Sequence, residues 1–584
     1  MLSPPGDQEP VHDVSTDLRT PPSEHQRTPA DGHADLAFLS GDVYTVDAAR
    51  RWAQAVAVRD GRIVAVGTDD ALRDLIGNAT EVVDLTGKML VPGFQDAHVH
   101  PVYGGMDRLR CDLSGTTGEG AYLDVVAAYA HANRNEPWIL GGGWSQDDFP
   151  RGCPSKESLD RVVSDRPVFL PNRDGHSAWV NTPALELAGV TRGTLDPPDG
   201  RIERTAEGDP QGTLHEGAQA LVERLVPPVD AAFVLEGLAL GQAYLHSLGI
   251  TAWQDAIVET GGPSGGNLRA YLEAGQSGAL TGRVVGALWW DRHRGLEQID
   301  DLLELRSRGS AGRFAATSVK IMLDGVCENF TAAVLDPYLD ERGNPTQDRG
   351  ISFIDPELLR EAVTRLDAEG FQVHFHALAE RAVREALDAI EAARSANGMS
   401  DGRHHLAHIQ VVHPDDLPRF RSLGAVANAQ PLWALHEAQM DELTIPFLGA
   451  ERTTWQYPFA SLVRHGAMLA MGSDWSVSSA DPLQEMHVAV NRTAPDGYLH
   501  RVDNREVFLP NERIDLATAL GAFTMGSAYV DHLDDETGSI EVGKRADLAV
   551  IDRNLFAHPV DEIASARCLQ TFVEGARVFA TDDA

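Results

Sequence analysis

Between about Val91 and Leu533 the chain alternates short apolar runs with helical segments, and this cadence limits the fold more than any other feature. "GITAWQDA", "TSVKIMLDG", "GFQVHFHA", "HHLAHIQ" and "AMLAMGSD" read as buried strands, and segments such as "ERAVREALDAIEAARSANG" read as the helices between them. Strand, helix, strand at this spacing specifies a parallel sheet with helical crossovers. Over more than 400 residues, the α/β class predicted is a (β/α)8 TIM barrel. Residues from about 102 to 228 are too many for one connection and are expected to form a loop-rich insertion over the barrel mouth. On either side, 34–91 and 535–584 read as short strands separated by turns, "RDGR" among them. Together they predict one small composite β-sandwich built from both chain ends. Residues 1–33, rich in Pro, Asp, Glu, Ser and Thr without apolar periodicity, are expected to be a disordered tail.

Charge and composition narrow the function classes. Asp+Glu 87 against Lys+Arg 49 gives a formal charge of -38, which opposes nucleic acid and anionic membrane as partners. No run approaches the roughly 18 apolar residues of a membrane helix, and no apolar segment follows the first residues, so the expectation is a cytoplasmic protein. Cys111, Cys153, Cys327 and Cys568 are far apart and form no CxxC pair, so the spacing signals neither a disulfide framework nor a thiolate zinc site. The composition leaves a homodimer open.

The chemistry is concentrated where apolar runs give way to loops. In "VPGFQDAHVHP", strand alternation puts Asp96, His98 and His100 on one face. "GFQVHFHALAE" aligns His374 with His376, "HHLAHIQ" ends at His408, and "AMLAMGSDWS" ends at Asp474. Imidazole nitrogen and carboxylate oxygen suit Zn²⁺ or a similar divalent ion, and strand ends are the catalytic rim of a barrel. His374 shares the lumen face but is expected one layer below the metal, while His404, His405 and His413 read as structural.

Lysine is scarce, with only Lys88, Lys156, Lys320 and Lys544, yet Lys320 lies inside an apolar strand where an ammonium is costly. Its amine, unlike a guanidinium, can lose its proton and react with carbon dioxide to give a carbamate that bridges two cations.

HxH on the first strand, Lys on the fourth, His on the fifth and sixth and Asp on the eighth resemble the metal-dependent amidohydrolase superfamily. "DGHSAWVN", "GGWSQDDFP", "HALAERAV", "GSDWSVSSADP" and "KIMLDGVCENFTAAVLDPY" resemble its YtcJ-like branch, amidohydrolase family 3, which includes N-substituted formamide deformylases. The resemblance spans about Ala34 to Ala580. It implies a one- or two-Zn²⁺ centre held by His98, His100, Lys320 as N6-carboxylysine, His376, His408 and Asp474. The reaction implied is attack of metal-bound hydroxide on a small amide, with Asp474 as general base and acid. His176 in "DGHSAWVN" is expected to hold the carbonyl or oxyanion. Trp144, Trp433, Glu328 and Asn329 are the expected substrate contacts, and a small amide-type molecule is the expected partner. Deamination, ester or lactone hydrolysis, decarboxylation, or metal-stabilised binding without turnover are the alternatives. Ile409 after His408, and Glu380 where Asp is frequent, depart from the branch pattern.

Overall fold

The computed structural model describes residues 32–261 and 266–582, so the tail expected at 1–33 lies almost wholly outside the described residues. Eight strands run parallel in one sheet: β1 (Phe94–Val99), β2 (Ile250–Val258), β3 (Arg283–Trp289), β4 (Phe314–Met322), β5 (Gln372–Ala377), β6 (His405–His408), β7 (Val426–Ala429) and β8 (Met468–Met471). Their spatial order follows the chain from β1 to β8. The ends of β1 and β8 meet at the rim, where Asp474 N donates to His98 O at 2.7 Å and His100 N donates to Trp475 O at 2.8 Å. The result is a nearly closed (β/α)8 barrel, its last edge bridged by the segment after β8 where the donors converge.

Alternation decides which side chains enter the lumen. On β5, Val373, Phe375 and Ala377 join the apolar layer under the helices, and His374 and His376 point inward. The helix Glu380–Asn397 buries Ala382, Val383, Ala386, Leu387, Ile390 and Ala393 on one stripe against that layer. Each large apolar side chain so buried contributes about 1.5–3 kcal/mol. Helix starts are encoded locally. Asp355 accepts hydrogen bonds from Glu357 N and Leu358 N just ahead of Pro356 in the first turn of Pro356–Ala368.

The helix Pro101–Arg108, which begins directly after His100, packs against Ala231–Ser247 at very short range. A Cβ on Gly105 would lie 1.9 Å from Gly237 O, and one on Gly241 would lie 2.1 Å from Pro101 O, so only glycine allows the approach. Between these helices lies the insertion. It is not loop-rich: six short strands from Cys111–Asp112 to Pro210–Glu216 form their own sheet, with separate apolar cores around Trp144 and Leu214. The alternating run "SAWV", extended as Ser177–Val180, supplies one of its inner strands.

Two further sheets pack face to face. One contains Leu36–Leu39, Ala55–Arg59, Arg62–Gly67 and Glu81–Asp84. The other joins Met89–Pro92 and Asp42–Tyr44 to Leu548–Ile551, Cys568–Val573 and Ala576–Ala580. Phe38, Val56, Leu90, Leu548 and Phe572 share their core, so residues from both chain ends fill one interior. Among the described residues, no helix is long and apolar enough to cross a membrane.

Candidate metal centre

The barrel lumen is a column of hydrogen-bonded polar groups. Gln254 on β2 donates through Nε2 to Gln372 Oε1 and Asp531 Oδ1, while its Oε1 lies 2.6 Å from His374 Nδ1 and 3.0 Å from His405 Nε2. An amide oxygen can only accept, so Gln254 assigns both of those ring nitrogens as N–H donors. His374 Nε2 then accepts and sits 2.8 Å from His98 Nδ1. His98 is thereby oriented with Nε2 free to face the rim. His374 and His405 lie in the layer beneath, and His404 is paired with Asp367 at 3.0 Å.

Above this layer the expected donors converge. Asp474 Oδ1 is 3.0 Å from His100 Nε2 and 3.2 Å from His98 Nε2, and Asp474 Oδ2 is 3.8 Å from His408 Nδ1. Donor atoms of His98, His408 and Asp474 all lie within 4.8 Å of one another. The His376 ring is 4.5 Å from that of His408, centroid to centroid. Lys320 Nζ is 3.5 Å from His98 Nε2 and 3.5 Å from His374 Nε2.

Asp474, His408 and His376 are buried, yet Asp474 Oδ1, His408 Nδ1 and His376 Nδ1 make no hydrogen bond. Leaving several such atoms unsatisfied costs about 1–3 kcal/mol each. Tetrahedral coordination at about 2.0–2.1 Å separates N and O ligands by roughly 3.3–3.4 Å, close to the spacings around Asp474. The residues present therefore fit a divalent cation.

Backbone geometry and local acceptors aim the donors. His408 and Asp474 have positive φ values of 75° and 56°, turning their side chains at the strand ends. His408 N donates to Gln430 Oε1 at 2.7 Å. Asp96 accepts from His98 N, Ser473 N and Ser473 Oγ, clamping β1 to the segment that carries Asp474. Asp324, beyond β4, accepts from Ala333 N, Leu378 N and Ala379 N and places Oδ1 3.5 Å from His376 Nδ1.

Electrostatics separate the roles. Burial of Lys320 pulls its ammonium down to about 7, so the free amine is accessible near neutrality. Burial opposes ionisation of Asp474, but the adjacent His100, with Nε2 3.0 Å from Oδ1, leads the effects that outweigh it, and the carboxyl is held below its ordinary range. Burial pushes His98, His376 and His408 well down, keeping them neutral donors. At His176 burial acts in the same direction, but the Glu216 carboxylate, with Oε1 at 3.0 Å and Oε2 at 3.1 Å from Nδ1, raises the imidazole to about 9. Glu216 is held in turn by Thr331 Oγ1 at 2.7 Å.

A cavity of about 440 Å³ opens over these groups. The insertion contributes Arg173, His176 and Glu216 to its wall, and the barrel side contributes Glu328, Trp433 and Tyr457. Trp433 stacks on His408 at 5.3 Å and 10°, its Nε1 donating to Ser478 Oγ. Trp144 is placed elsewhere: it is fully buried in the insertion core, with Nε1 donating to Leu170 O, because the turn beside it folds inward. Asn329 also stays off the cavity lining, since its carboxamide is engaged by Gln146 Nε2 and Ser177 Oγ. Glu380 and Ile409 are buried, and neither lines the cavity.

A parallel eight-stranded barrel with imidazole, carboxylate and lysine donors at its C-terminal rim defines the class of barrel enzymes that work through a bound divalent cation. The chain belongs to the amidohydrolase family, whose model matches residues 81–579. It is 32% identical to "Protein LONG AFTER FAR-RED 3" of Arabidopsis thaliana over 94% of this chain and 92% of that protein. It is 28% identical to "Putative amidohydrolase YtcJ" of Bacillus subtilis over 92% of this chain and 98% of that one. With "N-substituted formamide deformylase" of Arthrobacter pascens it shares 26% identity over 93% and 97%. Among solved structures, an uncharacterized metal-dependent hydrolase from Pyrococcus furiosus superposes with a TM-score of 0.66 at 26% identity, covering 89% of this chain and 99% of that one. These likenesses make the chain an amidohydrolase-family hydrolase, and the family implies a divalent metal.

Proposed function

We propose that the chain hydrolyses the C–N bond of a small non-peptide amide, with N-substituted formamides and N-acyl amines as the substrate class. The observation that carries the reading is the meeting of Asp474 with His98, His100, His376 and His408 on the floor of a cavity that His176 faces from the insertion. The formamide deformylase likeness over 93% of the chain supports this substrate class.

His98, His100, His376, His408 and Asp474 would supply between them the ligands of one Zn²⁺ and the contacts to its water, and Lys320, as N6-carboxylysine, would allow a second. Bound there, Zn²⁺ supplies Lewis acidity and lowers the pKa of a coordinated water toward about 7. Asp474, ionised and without a hydrogen-bonded proton at Oδ1, takes a proton from the attacking water and returns it to the leaving nitrogen. His176, kept protonated by Glu216, donates a hydrogen bond to the amide oxygen as negative charge develops there. Trp433 presents an apolar ring edge to the N-substituent, and the half-buried Glu328 carboxyl, held by Thr444 Oγ1 at 2.9 Å, stands ready to pair with an N–H.

Amine release from a panel of formamides, N-acyl amines and lactones, with metal content measured alongside, tests the assignment. Turnover confined to lactones, or turnover retained in Asp474→Asn, would defeat it.

A further inference from the structure

On the insertion, the strand Pro210–Glu216 pairs with Ser177–Val180 on one side and Gly200–Arg204 on the other. Successive side chains leave a strand on opposite faces. Glu216 turns toward the cavity and His176, whereas His215 turns away from it into a second group of metal-type donors. His215 Nε2 is 3.7 Å from Cys153 Sγ and 3.2 Å from Glu203 Oε1, and the three donor atoms lie within 4.8 Å of one another.

We propose that Cys153, Glu203 and His215 form a second divalent-metal site, of the tetrahedral Zn²⁺ type, separate from the barrel centre. The spacing supports this directly. A tetrahedral ion with sulfur at about 2.3 Å and nitrogen and oxygen at about 2.0–2.1 Å places S···N near roughly 3.6 Å and N···O near roughly 3.3–3.4 Å. Both separations are already met without a shift of the backbone.

The surroundings are those of a ligating imidazole. His215 is 1% exposed, and its Nδ1 lies 2.7 Å from Ser177 Oγ. With the proton on Nδ1 donated to Ser177, Nε2 presents its lone pair to the space shared by Cys153 and Glu203. Arg201 Nε donates to Glu203 Oε1 at 2.7 Å and keeps that carboxylate ionised and in place. Cys153 follows the turn Pro150–Gly152, so an ion here would tie that turn to the two strands behind His176 and Glu216. The fourth position would be filled by water. Because the ligands lie at 153, 203 and 215, no local spacing announces them.

The test uses the full-length chain loaded with Co²⁺ alone. A thiolate ligand gives cobalt a charge-transfer absorption in the near ultraviolet, and none of the barrel donors is a thiolate. The expected result, at saturating Co²⁺, is that band with the intensity of one thiolate-bound ion per chain, retained in His98→Asn/His408→Asn and lost in Cys153→Ser. Glu203→Gln, which keeps the shape of the side chain, should weaken Co²⁺ binding at the band about tenfold or more. No band in the parent chain, an unchanged band in folded Cys153→Ser, or unchanged affinity in Glu203→Gln would overturn the assignment.

Discussion

Replacing Glu216 with Gln isolates the part of the mechanism that depends most on geometry. The carboxylate contacts His176 Nδ1 through both oxygens, and it is 5% exposed, so its charge is little screened. It holds His176 at about 9, above the ordinary imidazole value near 6.5. Near pH 7.5 an imidazole of pKa about 9 is almost fully protonated, while one returned to 6.5 is protonated in only about a tenth of molecules. Burial would carry it lower still. Loss of a charged oxyanion donor costs about 10²–10³ in kcat. The alkaline limb of kcat/KM, near pH 9 in the parent, should move down by more than two pH units in Glu216→Gln. The deficit should therefore be large near pH 8.5 and shrink only as pH falls below 6.5. The same pair stabilises the fold. The His176 part is complete below pH 6.5, where the imidazole is charged in both folded and unfolded chains, and is lost as pH rises through 9, whereas the Glu216 part is lost at acid pH as its depressed carboxyl takes up a proton. An unchanged alkaline limb in a folded Glu216→Gln variant would refute the role given to His176.

Other expectations follow from the same geometry. Asp474→Asn should retain the fold and lower kcat by about 10²–10⁴, as expected for loss of a proton-transfer group, with steady-state amine release as the check. Lys320→Ala should reduce metal content, and bicarbonate should raise the metal content of the parent chain but not of the variant. Asp324→Ala removes the acceptor of three buried backbone N–H groups; at about 1–3 kcal/mol for each, denaturant unfolding should show a loss of several kcal/mol. Gly105→Ala forces a methyl group toward Gly237 O and should cost about 1–3 kcal/mol, read as a lower thermal midpoint.

The barrel was legible because each strand carries its own signal, a short apolar run with donors at its end. His98, His376, His408 and Asp474 sit where the chain leaves an apolar run for a loop, so the rim could be named without coordinates. Glu216 and Asp324 were not legible, because their importance lies in what they touch. Glu216 meets His176 across 40 residues and Asp324 reaches three backbone amides 9 to 55 residues away. Trp144 and Trp433 show the same limit. Both adjoin turns, but one turn folds into the insertion core and the other faces the cavity, a choice made by tertiary packing rather than by neighbouring residues. The Cys153, Glu203 and His215 cluster is the extreme case, assembled from three separate segments of the insertion.

The hydrolysis proposed requires a cation held at the barrel rim, so amine release from an N-substituted formamide should follow the metal as it is stripped from the full-length chain and Zn²⁺ is then returned. Release should fall to background on stripping and recover on Zn²⁺ addition in the parent chain but not in His98→Asn/His408→Asn. Undiminished release from the stripped chain would show that the reaction needs no cation at the rim.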